Sequence, residues 1–280
     1  MQLAYRIVNV FTHNRGRLTG NPLCVFEDGA ALDAATMQAL ARQINLSETT
    51  FILPTTGATA RVRVFTPDFE LPFAGHPTLG TAHVCRALGL GGDSQLLEML
   101  AGRIAVTADG DCWRLRAAPA SHREVEISFA ELASLLGLGE ADIDQRPLWV
   151  KIGKEQLVVP LTSERAVRSV KPSPQLLQRL VSEDGQGMVY VFAEIGPGKA
   201  LARFFFPSGE SVIEDPATGS ATANLGGWML AMAKPVPQKL EISQGEYVAR
   251  PSTLSLEIDA DRQIFVAGDV VELAVGRLEI

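Results

Sequence analysis

The sequence predicts an α+β protein built as two similar lobes, each a mixed β-sheet curled around a central helix. Three observations lead there. Short alternating segments outnumber helical ones, and no regular strand–helix–strand alternation runs through the chain, which argues against a parallel-sheet nucleotide-binding fold. The sextet Pro77-Thr78-Leu79-Gly80-Thr81-Ala82 returns as Pro216-Ala217-Thr218-Gly219-Ser220-Ala221, a P-x-x-G-[ST]-A match offset by 139 residues (216 − 77) in a chain of 280. Upstream of each copy an aromatic strand ends in a proline turn, Val64-Phe65-Thr66-Pro67 and Phe205-Phe206-Pro207. Two copies of one strand–turn–helix unit imply a pseudo-twofold pair.

In chain order, period-two alternation bounded by Gly, Pro, Asn or Asp marks strands at 5–11, 22–26, 50–53, 60–65, 96–99, 103–108 and 112–116. Met37, Leu40, Ala41 and Ile44 recur at helical spacing behind Asp33, a natural N-cap. A second helix spans 77–88 and stops at Gly89. The other half opens with a helix at 128–136, followed by strands at 148–152 and 156–160 and a short helix at 172–181. Strands at 188–193 and 202–206 come next, and after the uncharged stretch 216–233 strands follow at 240–244, 253–258, 264–268 and 270–274. The uncharged stretch is near the length of a membrane span but is made of Gly, Ala, Thr, Ser and Asn. It reads as a helix enclosed inside the fold, and no membrane association is expected.

Hydrophobic residues make up 46% and charged residues 20%, enough to bury a core and too apolar for a disordered chain. The net charge is −7 with no basic run, so no nucleic-acid partner is expected. Cys24, Cys85 and Cys112 are few, odd in number and widely spaced, which fits a reducing compartment. Residues 1–6 lack the layout of a signal peptide, and a cytoplasmic protein is expected.

The chemistry is expected at the starts of the two small-residue helices. With Pro77 and Pro216 at the first helical positions, His76 and Asp215 fall at the N-caps. Helix N-termini bind anions, so two such ends facing one cleft suit a small carboxylic acid held for proton transfer. Asp before Pro is also a common cap, His76 also reads as a packed loop histidine, and Glu48 in Ser47-Glu48-Thr49-Thr50-Phe51 also reads as a solvated glutamate. Local sequence leaves both readings open at each of the three. His13, His76, His83 and His122 show no metal-ligand spacing, and no phosphate-binding glycine loop or nucleophile elbow occurs. The cysteines sit in apolar contexts and read as core residues.

Gly20-Asn21-Pro22, Ser47-Glu48-Thr49-Thr50-Phe51, Phe73-Ala74-Gly75-His76-Pro77-Thr78, Glu214-Asp215-Pro216-Ala217-Thr218-Gly219-Ser220-Ala221 and Gln244-Gly245 with Arg250-Pro251-Ser252 together resemble the phenazine-biosynthesis isomerase (PhzF-like) family. These motifs run in family order over nearly the whole chain. One departure is Ala249, where many members carry Gly before Arg-Pro-Ser.

The resemblance implies the diaminopimelate-epimerase-like fold, with a first lobe over 1–118 completed by a strand at 266–280, a second lobe over 119–265, and the site between them. It implies proton shuttling without cofactor or metal, with Glu48 as general acid/base and Asp215 and His76 against the substrate. Ser47, Gly75, Gly219 and Ser220 then line the same pocket, and the assembly is a homodimer. Racemases of this fold place a cysteine at each helix start; here those places hold His76–Pro77 and Asp215–Pro216, which favours an isomerase. An epimerase or dehydratase on the same scaffold and a non-catalytic binding protein are the alternatives.

Overall fold

A computed structural model describes residues 1–177, 179–183 and 185–280. The chain divides into two units, Met1–Arg116 with Ala267–Ile280, and Ala117–Val266.

The first unit contains β1 (Gln2–Val10), β2 (Asn21–Phe26), α1 (Ala34–Ile44), β3 (Glu48–Leu53), β4 (Ala60–Phe65), β5 (Glu70–Leu71), α2 (Gly75–Ala87), β6 (Ser94–Met99), β7 (Gly102–Asp109) and β8 (Cys112–Arg116). β1 pairs antiparallel with β2, β2 parallel with β3, β3 antiparallel with β4, and β4 parallel with β6, while β5 folds back on β4. β7 and β8 continue antiparallel from β6. Asp33 caps α1 as expected, its carboxylate accepting from the Thr36 amide at 2.8 Å. Met37, Leu40 and Ala41 of that helix pack under Phe26, Phe51 and Phe65. Phe26 stacks on Phe51 with centroids 4.8 Å apart, and Phe65 meets Phe51 edge-on at 5.6 Å. Each large apolar side chain buried this way contributes about 1.5–3 kcal/mol. α2 lies on the sheet with most of its residues buried, which is why its sequence shows no amphipathic stripe.

The second unit contains β9 (Ser121–Glu124), α3 (Phe129–Leu136), β10 (Leu148–Ile152), β11 (Lys154–Pro160), α4 (Glu164–Ser169), α5 (Pro174–Leu177), β12 (Val189–Gly196), β13 (Lys199–Ser208), β14 (Ser211–Asp215), α6 (Gly219–Ala231), β15 (Gln238–Gln244) and β16 (Ser252–Ile258). Its pairing repeats the first unit: β10 with β11 antiparallel, β11 with β12 parallel, β12 with β13 antiparallel, β13 with β15 parallel, β14 folded back on β13, and β16 antiparallel to β15. α6 is the uncharged helix, and its residues are buried almost all round. No described helix is long and apolar enough to cross a membrane. Of the short helix expected over 172–181, Pro174–Leu177 is helical, while Gln178 lies outside the described residues.

The last two strands expected, 264–268 and 270–274, form one strand instead, β17 (Ile264–Glu279). Gly268 does not turn the chain. It lets the Phe11 ring approach, since a Cβ there would lie 2.4 Å from a ring carbon. β17 pairs with both β1 and β8 and so closes the sheet of the first unit.

The repeat is real in three dimensions, but its register differs from the sequence match. α2 starts at Gly75 behind Ala74 and α6 at Gly219 behind Thr218, a spacing of 144 residues (219 − 75). The matched segments are therefore Pro72-Phe73-Ala74-Gly75-His76 and Pro216-Ala217-Thr218-Gly219-Ser220, and in both the proline makes the bend before the helix. Pro77 sits third in its helix, where a missing N–H is harmless. His76 and Asp215 are thus not N-caps: His76 is the second residue of α2, and Asp215 is the last residue of β14. Upstream, Val64 opposite Leu71 matches Phe204 opposite Asp215, so β13 lies 140 residues after β4 (204 − 64). A hairpin four residues longer in the second unit makes the difference.

Candidate active site

Glu48 opens β3 beside Leu23 of β2, and His76 lies in the first turn of α2. The fold brings them together, with Glu48 Oε2 3.5 Å from His76 Nε2. The His76 side chain is 7% exposed and that of Glu48 18%. Glu48 Oε2 is buried and makes no hydrogen bond to the described residues. Burial raises the Glu48 carboxyl to about 7 from an ordinary 4.5, with a hydrogen bond from the Ser47 side chain holding it partly down. The Ser47 hydroxyl also lies 3.3 Å from Asn21 Oδ1, tying the Gly20-Asn21-Pro22 turn to the start of β3. Gly75 is the first residue of α2, where main-chain N–H groups have no helical acceptor. Ser47, Glu48, Gly75 and His76 therefore belong to one locality in the first unit. A carboxyl near neutrality with an uncommitted oxygen is able both to take and to return a proton.

Asp215, Gly219 and Ser220 form the corresponding locality of the second unit. Thr218 donates its hydroxyl to Asp215 Oδ2 at 2.5 Å. Gln244, at the end of β15, closes this turn three times: its Nε2 donates to the Asp215 carbonyl at 2.9 Å and to Thr218 Oγ1 at 3.0 Å, and its Oε1 accepts from the Thr218 amide at 3.3 Å. Gly245 follows at φ +83°, where a Cβ would lie 2.4 Å from the Pro216 carbonyl oxygen and 2.2 Å from that of Arg250. Gln244-Gly245 is thus the brace of the Asp215 turn, a role that lone residues in a strand end do not announce.

Sequence reasoning also missed what holds each turn from behind. Arg203 forks onto Glu214, Nε at 3.0 Å and Nη2 at 2.7 Å, and stacks on the Phe205 ring at 4.7 Å. Arg63 does the same to Glu70, at 2.7 and 2.6 Å, over Phe65 at 5.0 Å. The signal was present as R-x-F-x-P followed by E-x-P: Arg63-Val64-Phe65-Thr66-Pro67 with Glu70-Leu71-Pro72, and Arg203-Phe204-Phe205-Phe206-Pro207 with Glu214-Asp215-Pro216. With the register corrected, Glu48 corresponds to Met188, Leu71 to Asp215, and His76 to Ser220. Among the described residues no group of three or more His, Cys, Asp or Glu side chains is placed to hold a metal ion.

Residues 8–276 match the family model described as phenazine biosynthesis-like protein, PhzC-PhzF. An uncharacterized isomerase of Pasteurella multocida is 39% identical, the alignment covering 98% of this chain and 93% of that protein. A trans-2,3-dihydro-3-hydroxyanthranilate isomerase of Pseudomonas aeruginosa is 33% identical over 98% of both chains. Among solved structures, a PhzF-family phenazine biosynthesis protein of Bacillus anthracis superposes with a TM-score of 0.88 over 100% of both chains at 23% identity, which supports the shared α+β, diaminopimelate-epimerase-like fold. The chain belongs to the phenazine biosynthesis-like (PhzF) family of isomerases.

Proposed function

We propose that the protein moves a proton between two carbons of a small cyclic carboxylic acid, with Glu48 as the single group that takes and returns it. The observation that carries this reading is the buried Glu48 carboxyl, whose Oε2 lies 3.5 Å from His76 Nε2 without a hydrogen bond and which burial raises to about 7. As base, Glu48 accepts an activated C–H proton, and the electron pair enters the conjugated system of the substrate. As acid, it returns one proton, exchangeable with solvent while it sits on the carboxyl, to another carbon, so atoms and charge balance. His76 stands 3.5 Å from the carboxyl, placed to respond to its change of charge. Asp215 and Ser220 are carried over from the family resemblance as substrate contacts, and the helix starts at Gly75 and Gly219 each present amides suited to a carboxylate. The Pseudomonas aeruginosa relative is named for a cyclic amino acid of this class. A two-base racemisation is less well supported, because the second unit places Met188 and Ser220 where the first has Glu48 and His76.

The test is deuterium wash-in. With trans-2,3-dihydro-3-hydroxyanthranilate or other cyclic unsaturated carboxylic acids in deuterated water, the wild-type protein is expected to introduce deuterium at carbon. Glu48→Gln keeps shape and should lower this rate by about 100-fold or more. Undiminished exchange in the variant would move the proton to another group, His76 first.

A further inference from the structure

The start of α6 carries a buried amide relay whose polarity is fully determined. The Ile152 main-chain N–H donates to Asn224 Oδ1 at 2.9 Å, so the other terminus of Asn224 is its NH₂ group. That group donates to the Lys154 carbonyl at 3.1 Å and to Gln156 Oε1 at 2.7 Å. Gln156 must therefore present its own NH₂, and its Nε2 donates to Ser220 Oγ at 3.0 Å. Asn224 is 0% and Gln156 2% exposed, whereas Ser220 is half-buried. Because Ser220 accepts from Gln156, its hydroxyl proton is directed away from that amide.

The fold does not require this relay. The equivalent places in the first unit are Leu23 and Gly80, an apolar contact so close that a Cβ on Gly80 would lie 2.6 Å from Leu23 Cδ2. The same helix is thus seated on the same sheet without a polar group there. Two buried primary amides cost stability unless bonded, and what they add over the apolar solution is a direction for one hydroxyl.

We propose that Asn224 and Gln156 are positioning residues that hold the Ser220 hydroxyl as an obligate hydrogen-bond donor to a carboxylate oxygen of the substrate. This rests on the proton-transfer reading above and adds how the acid is recognised. A donor aimed at an anionic oxygen is worth about tenfold or more in affinity.

Two measurements test it. Neutron diffraction on the ligand-free, deuterium-exchanged protein reads the direction itself. Gln156 deuterons on Ser220 Oγ are expected, and a Ser220 deuteron on Gln156 Oε1 overturns the relay. The second is the kinetics of deuterium wash-in on trans-2,3-dihydro-3-hydroxyanthranilate. Ser220→Ala should raise KM about tenfold with kcat changed less than about threefold. Gln156→Glu, whose carboxylate captures the Ser220 proton, should raise KM as much, and the near-isosteric Gln156→Met by less. A Glu variant with wild-type KM, or KM values that merely follow the melting temperatures of the variants, would refute the positioning role. If the wild-type protein turns over no such acid, the proposed reaction fails, while the neutron result still decides the relay.

Discussion

A carboxyl that remains half protonated near neutrality carries a cost that the unfolded chain does not share. Glu48 holds its proton up to about pH 7 in the folded protein and only to about 4.5 when exposed. Between those values the folded state binds more protons, so stability falls as pH rises from about 4.5 to 7 and is flat above. The difference corresponds to about 3 kcal/mol at pH 8. Glu48→Gln should therefore unfold at higher urea than wild type at pH 8, with no such advantage at pH 4.5. An equal difference at both pH values would show that Glu48 is not the strained group. Candidates of this kind were only partly legible in the sequence. Glu48 and His76 were marked by motif context, but their contact depends on how α2 is seated beside β3. Gln156 and Asn224 carried no mark, because one amide in a strand and one in a helix form no pattern until they touch.

Turns and helix ends were where local reading went astray. A proline near a helix start predicts the first helical position in both lobes, yet Pro77 lies third in α2 and Pro216 lies in the bend before α6. Proline is tolerated throughout a first turn, so its letter alone does not fix a boundary. The segment after β15 gives a sharper case. Ala249 is held at φ +55°, a left-handed conformation that opposes its Cβ. Ala249→Gly should raise stability by about 0.5–1 kcal/mol, seen as a small rise in Tm. Gly245→Ala, four residues earlier, should do the reverse by several kcal/mol, since its new methyl meets two carbonyl oxygens. It should also lower activity more than Ala249→Gly changes it, because the Pro216 carbonyl adjoins Asp215. Calorimetry with turnover on the same samples checks both; a stable Gly245→Ala protein would contradict the brace.

At the scale of the molecule, the chain uses one architecture twice and burdens the copies unequally. Both carry the Arg–Glu fork, but Arg63 and Glu70 are 23% and 22% exposed, whereas Arg203 and Glu214 are 9% and 10%. Arg203 also donates to the carbonyls of Val167 and Val170 and lies under Tyr247. Removing one partner of a buried pair strands the other, so Arg203→Met should cost about 3–5 kcal/mol and Arg63→Met clearly less. Equal losses in thermal unfolding would mean that burial does not set the difference. The duplication was suggested by P-x-x-G-[ST]-A, but that match pairs Pro77 with Pro216, whereas in the structure Pro72 is the counterpart of Pro216, five residues earlier (77 − 72). β17 has a further consequence, for biosynthesis. Residues 267–280, which close the first sheet by pairing with β1 and β8, are made only after the whole second unit. At about 5–20 residues per second, the ribosome needs on the order of 10–30 s to supply the intervening 117–266. Until then β1 presents an open edge able to pair with another nascent chain. The half of the protein that is translated first is thus the half that finishes folding last, and it is the one that holds Glu48.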